Sequence, residues 1–180
     1  MTILDLGSGE RGTEWKNPSP DKYDSFIMVD IDAERCLRAR QNFPDRLVLQ
    51  GSGENIPLPD LSVDCITCGV ALPYMNIPVA CKEMFRVLKK GGYVSVSLHR
   101  LSFTISEFQK VNSVKSFIGR LTVILNGLLF HFTGRLAYLP SCESFQTKKS
   151  FRRAMLCAGF KHVDFKFNKG QFLATAVKEN

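Results

Sequence analysis

Ile3-Leu4-Asp5-Leu6-Gly7-Ser8-Gly9-Glu10-Arg11-Gly12 is the stretch whose reading decides the fold. An apolar run of strand length passes straight into a glycine-rich turn, the arrangement by which an α/β sheet brings bare backbone against a nucleotide-like ligand. Gly7, Gly9 and Gly12 spell G-x-G-x-x-G. That pattern alone fits several nucleotide cofactors, so the choice falls to the segments that follow.

Ser25-Phe26-Ile27-Met28-Val29-Asp30 reads as a second strand ending in a carboxylate, placed where it can take both hydroxyls of a ribose, with Ile31 beside it. Next come Gly51-Ser52-Gly53-Glu54-Asn55-Ile56-Pro57-Leu58-Pro59-Asp60, a strand opening Val63-Asp64-Cys65-Ile66, and Glu83-Met84-Phe85-Arg86-Val87-Leu88-Lys89-Lys90-Gly91-Gly92-Tyr93. In order and spacing these segments resemble the class I S-adenosylmethionine (SAM)-dependent methyltransferases, especially the branch containing ubiquinone and menaquinone biosynthesis methyltransferases. The resemblance covers roughly residues 3 to 98 and returns at 151 to 178.

The resemblance implies a Rossmann-like α/β sheet, mostly parallel, of order 3-2-1-4-5-7-6 with an antiparallel last strand. It implies SAM as cofactor. Gly7, Ser8 and Gly9 would line the methionyl part, and Asp5 would orient its ammonium through the turn or a water. Asp30 and Ile31 would serve the ribose side, and backbone near Cys68 and Gly69 the sulfonium side. Where the family often has Asp-Ala at the adenine, Ser52-Gly53 stand here. A hydroxyl without formal charge holds the amino group less strongly, so weaker cofactor binding is expected.

Two departures bear on the cleft. Family members carry a helix after the glycine turn, whereas Gly12 to Asp24 contains Asn17-Pro18-Ser19-Pro20-Asp21, which predicts a loop or a single turn. The family's upstream helices, which cover cofactor and substrate, are also missing from this sequence. The cover is then expected from a lid within the chain or from a partner subunit.

A length of 180 residues accommodates one domain, 1–180, with a real core. No apolar leader follows a basic start, which suggests a cytoplasmic protein. The six cysteines show no framework and read as reduced thiols. Cys65 and Cys68 form C-x-x-C, but residues three apart on a strand point to opposite faces, so no metal is expected there. Charge is divided unevenly: residues 1–64 hold 7 Lys or Arg against 12 Asp or Glu, net −5, while residues 65–180 hold 17 against 5, net +12. A solvated basic face or an anionic partner would each account for this.

Strands are expected at 3–6, 25–30, 46–50, 63–68 and 93–99, with a hairpin of 161–167 and 171–177 across Asn168-Lys169-Gly170. Helices are expected at 33–42 with Asp32 as N-cap, at 78–90 with Lys89 and Lys90 near the negative end of its dipole, and at 151–158. Residues 101–145 form an insertion, a candidate lid. In it Phe117, Ile118, Leu121, Ile124, Leu125, Leu128, Leu129 and Phe132 recur at three- and four-residue spacing. This stripe can pack on the domain, wall a hydrophobic acceptor, or lie through 113–133 on an anionic membrane surface. Asn126, Gly127 and His131 interrupt it, so it is not expected to span a bilayer.

Methyl transfer from a sulfonium is an in-line displacement that needs positioning rather than a metal or a covalent intermediate. Two residues are candidates for the acceptor end. His99 closes the fifth strand and could act as general base, and Tyr74, in Leu72-Pro73-Tyr74-Met75, could border the pocket. His131 reads as packing. The favoured function is a SAM-dependent methyltransferase of a small or lipid-like molecule. The alternatives are a non-catalytic subunit of the same fold and, more remotely, an NAD-dependent oxidoreductase. The absence of an N/D-P-P-Y/F motif at Cys68-Gly69-Val70-Ala71 argues against a nucleic-acid substrate.

Overall fold

Alternating strands and helices build the sheet that the sequence pattern requires. In the computed structural model, which describes residues 1–12, 23–99, 101–137, 143–168 and 171–179, the elements run in chain order. They are β1 (Thr2–Leu6), β2 (Ser25–Asp30), α1 (Ala33–Asn42), β3 (Leu47–Gln50), β4 (Val63–Cys68), α2 (Ile77–Val87), β5 (Leu88–His99), α3 (Leu101–Ser106), α4 (Val114–Thr133), α5 (Lys148–Ala158), β6 (Lys161–Asn168) and β7 (Gln171–Val177). The sheet order is β3-β2-β1-β4-β5-β7-β6, as expected. The first five strands are parallel, and β7 runs antiparallel to both β5 and β6.

Both faces of the sheet are covered, the normal solution for parallel strands. On one face Leu4, Leu6, Ile66 and Val94 pack with Met84 of α2 and Phe151 and Met155 of α5. On the other, Ile3, Met28, Val48 and Cys65 pack with Cys36 and Ala39 of α1. Cys65 and Cys68 fall into opposite cores, as the two-residue period of a strand demands. Asp32 caps α1 through Oδ1, which accepts from the Glu34 and Arg35 backbone N–H groups at 2.9 and 3.0 Å.

The helix expected over 78–90 is shorter. It ends at Val87, and Leu88 to Gly92 already belong to β5. Leu88 pairs with Val63, and a register shift before the Cys65–Tyr93 pair absorbs the glycines, Gly91 at φ +76°. Lys89 therefore meets Asp64 at 3.0 Å rather than the α2 dipole. Lys178 takes that place, its Nζ donating to the Phe85 and Leu88 carbonyls at 2.6 and 2.8 Å. Helix α5 also starts earlier than Phe151, because Thr147 caps it ahead of Lys148 and forms a capping box with Ser150. The expected loop between Gly12 and Asp24 and the hairpin turn at 168–170 lie largely outside the described residues.

Helix α4 holds to the domain by a narrow strip of mixed character. Val123, Asn126, Gly127 and Phe130 are buried, and a Cβ on Gly127 would overlap the Phe145 ring. Full burial of Phe130 alone contributes about 1.5–3 kcal/mol. Asn126 Oδ1 accepts from the Ala137 N–H at 2.8 Å, and His131 Nδ1 meets the Thr147 hydroxyl at 2.8 Å. Arg153 donates to the carbonyls of Phe130, His131 and Phe132, closing the C-terminal end. By length and composition alone α4 would suffice to cross a membrane, and these bonds fix its inner side to the domain.

Candidate active site

The carboxyl ends of parallel strands are where open α/β sheets receive ligands, and a cleft of about 440 Å³ opens there. Leu6 and Gly7 leave β1, Asp30 and Ile31 leave β2, and Gly51, Ser52, Gly53 and Glu54 follow β3. Val70, Ala71, Tyr74 and Met75 follow β4, and Arg35 of α1 completes the wall.

The turn after β1 is held by β2. Gly7 and Ser8 donate to the Val29 carbonyl at 2.7 and 3.2 Å, and Gly9 donates to Asp30 Oδ2 at 2.8 Å. Asp30 Oδ1 accepts from the Asp32 N–H at 3.0 Å, so this 6 % exposed carboxylate is fixed by two backbone donors. Gly7 and Gly9 have φ of +69° and +59°, where only glycine sits without strain. Their surroundings differ: a Cβ on Gly7 would overlap the Ala71 Cβ, whereas one on Gly9 would meet nothing within 4 Å.

Several expected cofactor residues thus come together on the lining: Gly7, Asp30, Ile31, Ser52 and Gly53, with Tyr74 opposite. Others do not reach it. Asp5 is fully buried on the face of the sheet that β1 shares with Ile3, where its Oδ2 lies beneath Gly12. Ser8 is 7 % exposed, and its hydroxyl is directed at the Gly9 carbonyl, 3.4 Å away. Gly9 stands behind the lining through its bond to Asp30, and Cys68 and Gly69 stop one residue short of Val70. Burial, reinforced by the charge of Asp5, pushes the Cys68 thiol up to about 12, so it is inert. Gly53 is small for a local reason as well, since a Cβ there would overlap the Met75 sulfur.

Ser52 Oγ accepts from the Glu54 N–H at 3.1 Å, which spends one acceptor position inside the loop. The carboxylate missing at Ser52 is present two residues later. Glu54 lines the cleft, with Oε1 accepting from the Asn76 N–H at 2.6 Å. Sequence reasoning missed Glu54, Arg35 and Met75, whose place on the lining follows from tertiary packing rather than from a spacing rule.

Behind Tyr74 lies a polar cluster. His99 is 5 % exposed, and its Nδ1 is 2.8 Å from Glu143 Oε1. Tyr74 lies beside the same carboxylate, and burial followed by the Glu143 charge raises its hydroxyl pKa, keeping it protonated. Arg120 of α4 sits 3.5 Å from Glu143 and 3.2 Å from Glu107. The Phe103 ring covers His99 at 4.6 Å between centroids. Glu143, the residue that joins His99 to Tyr74, had no sequence signal beyond being one of two acids between residues 101 and 160.

The lining suits a nucleoside-bearing cofactor: a buried carboxylate at the end of β2, the bare backbone of Gly7, and apolar walls at Ile31 and Val70. The methyltransferase domain family model matches residues 4–96, just over half of the 180-residue chain. An uncharacterized methyltransferase-like protein of Schizosaccharomyces pombe is 30 % identical over 112 residues, covering 62 % of this chain and 43 % of its own. The ubiquinone/menaquinone biosynthesis C-methyltransferase of Rickettsia bellii is 27 % identical over 190 residues, covering 96 % and 73 %. The C-methyltransferase domain of the citrinin polyketide synthase superimposes with a TM-score of 0.70 at 18 % identity, over 99 % of this chain and 46 % of that one. The chain spans 43 % and 38 % of the length of two fission-yeast relatives. On these matches the chain belongs to the methyltransferase domain family, and S-adenosyl-L-methionine is its cofactor.

Proposed function

We propose that the protein transfers a methyl group from S-adenosyl-L-methionine to a small or lipid-like acceptor, with His99 as the general base at the acceptor end. The observation that carries this reading is the juxtaposition of two sites: a cleft holding Asp30 and Glu54, and, across Tyr74, the His99–Glu143 pair.

When bound, the cofactor supplies a methyl group on a cationic sulfur, already activated for displacement. The chain's own task is to orient and to exclude water, an effect worth ~7–11 kcal/mol of barrier. Asp30 would accept from the ribose hydroxyls, and the Gly7–Gly9 turn would offer backbone to the methionyl part. Ile31, Ser52 and Gly53 would border the base, with Glu54 the carboxylate nearest to them in the chain. Glu143 on Nδ1 sets the His99 tautomer, leaving Nε2 to take a proton from the acceptor, and then steadies the imidazolium. Tyr74, held protonated beside Glu143 and exposed at the cleft, presents its ring to the incoming acceptor.

The Rickettsia relative, named for carbon methylation in ubiquinone and menaquinone synthesis, favours an aromatic ring as acceptor. The test pairs calorimetry of S-adenosylhomocysteine with transfer of labelled methyl to a demethylated quinol. Binding together with transfer supports the reading. Binding without transfer to any hydroxyaromatic acceptor leaves a non-catalytic subunit, and binding of NAD instead would overturn the cofactor assignment at this site.

A further inference from the structure

The apolar stripe of α4 faces solvent. Val114 is 77 % exposed, Phe132 73 %, Leu125 58 %, Ile118 56 % and Phe117 50 %, and Leu121, Leu128 and Leu129 are also exposed. At about 100° per residue these eight positions share an arc of roughly 120°, opposite the Val123–Phe130 strip that holds the domain. The helix therefore differs from an ordinary surface helix: four residues, Val123, Asn126, Gly127 and Phe130, are buried against the domain, while a wide apolar side is presented.

The charges around it carry one sign. Residues 101–160 contain eight Lys or Arg and two acids, Glu107 and Glu143, and both acids lie against Arg120. Neither α4 nor α5 carries an acidic residue. Lys115 flanks the stripe, Arg135 follows its end, and Lys148 and Lys149 open α5 beside the His131–Thr147 bond, all four exposed. Two copies meeting by this face in a two-fold pair would set these cations against each other.

We infer that α4 is an interfacial helix that docks the protein on an anionic lipid bilayer, its stripe at the acyl boundary and Lys115, Arg135, Lys148 and Lys149 among the headgroups. The inner bonds of Asn126, His131 and Arg153 keep the helix flat on the domain rather than across the bilayer. The surface continues inward: the Phe117 and Phe108 rings are 6.1 Å apart, and Phe103 of the same preceding segment covers His99. Docking stands apart from the proposed reaction, because it requires neither cofactor nor acceptor.

The test is flotation of the full chain with vesicles of phosphatidylcholine alone and of phosphatidylcholine mixed with phosphatidylglycerol, with light scattering in solution. The protein is expected to float with the anionic vesicles at least tenfold more tightly than with the neutral ones. Leu125→Asp should weaken that binding at least tenfold while its melting temperature and S-adenosylhomocysteine affinity stay unchanged. Lys148→Glu with Lys149→Glu should cost about fivefold per charge on anionic vesicles only. Failure to float, flotation insensitive to Leu125→Asp, or equal binding to both vesicles overturns the inference. So does a dimer that Leu125→Asp dissociates, which would assign the stripe to a second copy.

Discussion

Tyr74 and His99 flank one carboxylate. Glu143 Oε1 lies 2.8 Å from His99 Nδ1, the charge of the same side chain acts on the Tyr74 hydroxyl, and the two rings meet edge-on at 6.4 Å. A residue from the connection ahead of α5 thus joins the end of β5 to the turn after β4. If this unit handles the acceptor's proton, His99→Gln lowers kcat by about 100-fold or more. Glu143→Gln lowers it less, and Tyr74→Phe alters KM more than kcat. Cofactor affinity, read by calorimetry, is unchanged in all three; normal turnover in His99→Gln would reduce the cluster to packing.

Asp30→Ala removes the acceptor for two backbone donors as well as the expected ribose contact. The variant is expected to lose about 1–3 kcal/mol of stability in urea titrations and at least tenfold in S-adenosylhomocysteine affinity. Loss of stability with unaltered affinity would make Asp30 a clamp for the turn and nothing more.

The two glycines of the turn separate backbone strain from collision. Gly9→Ala meets open space and costs about 1–2 kcal/mol, the left-handed penalty alone. Gly7→Ala adds overlap with Ala71 and costs about 2–5 kcal/mol. Adding Ala71→Gly to Gly7→Ala should return the collision part and leave the strain, which chemical denaturation of the double variant would measure.

Acid sensitivity follows from the Arg86 clamp. Arg86 bonds Glu83, Asp60 and the carbonyls of Ile56 and Leu58, and the guanidinium, ahead of the Ile56 N–H, holds Glu83 below the ordinary glutamate range. A carboxylate depressed in the folded state stabilises fully above its unfolded pKa, about 4.3, and loses that contribution as pH falls through the folded value. Melting curves should therefore separate wild type from Glu83→Gln by a constant margin above pH ~5, with the gap closing below pH ~4.

Thiol labelling offers a check on packing. Among the described cysteines, Cys157 is exposed, while Cys36, Cys65, Cys68 and Cys81 are buried. Burial raises the pKa of each of those four. Mass spectrometry after brief alkylation at neutral pH should find Cys157 modified and those four intact; rapid labelling of Cys68 would mean that the sheet opens readily at β4.

Most of the sheet was legible because strand length, apolar runs and the glycine turn are local signals, and the strand order followed from the family resemblance. What failed was non-local. Leu88 to Gly92 look like a helix end and its stop, yet pairing with Val63 draws them into β5. The periodicity of α4 was plain, but which side meets the domain depends on Phe145 pressing on Gly127, a contact no period encodes. Register singled out Ser52 and Gly53, which line the cleft, while Glu54 beside them carried no signal of its own. Glu143 became visible only when the fold carried it to His99.

Strand β7 lies between β5 and β6, although it is made after both, and Tyr93 to His99 of β5 pair with Val177 back to Gln171. During synthesis the finished β5 must wait, with a row of unpaired N–H and C=O groups on its free edge, while α3, α4, α5 and β6 emerge. A pairing so distant in sequence is slow to close. Over that interval the nascent sheet presents both a bare strand edge and the greasy outer side of α4, the pair of features that recruits chaperones or seeds aggregates. Production of this protein should therefore be limited by the speed at which β7 docks rather than by the strength of the finished core.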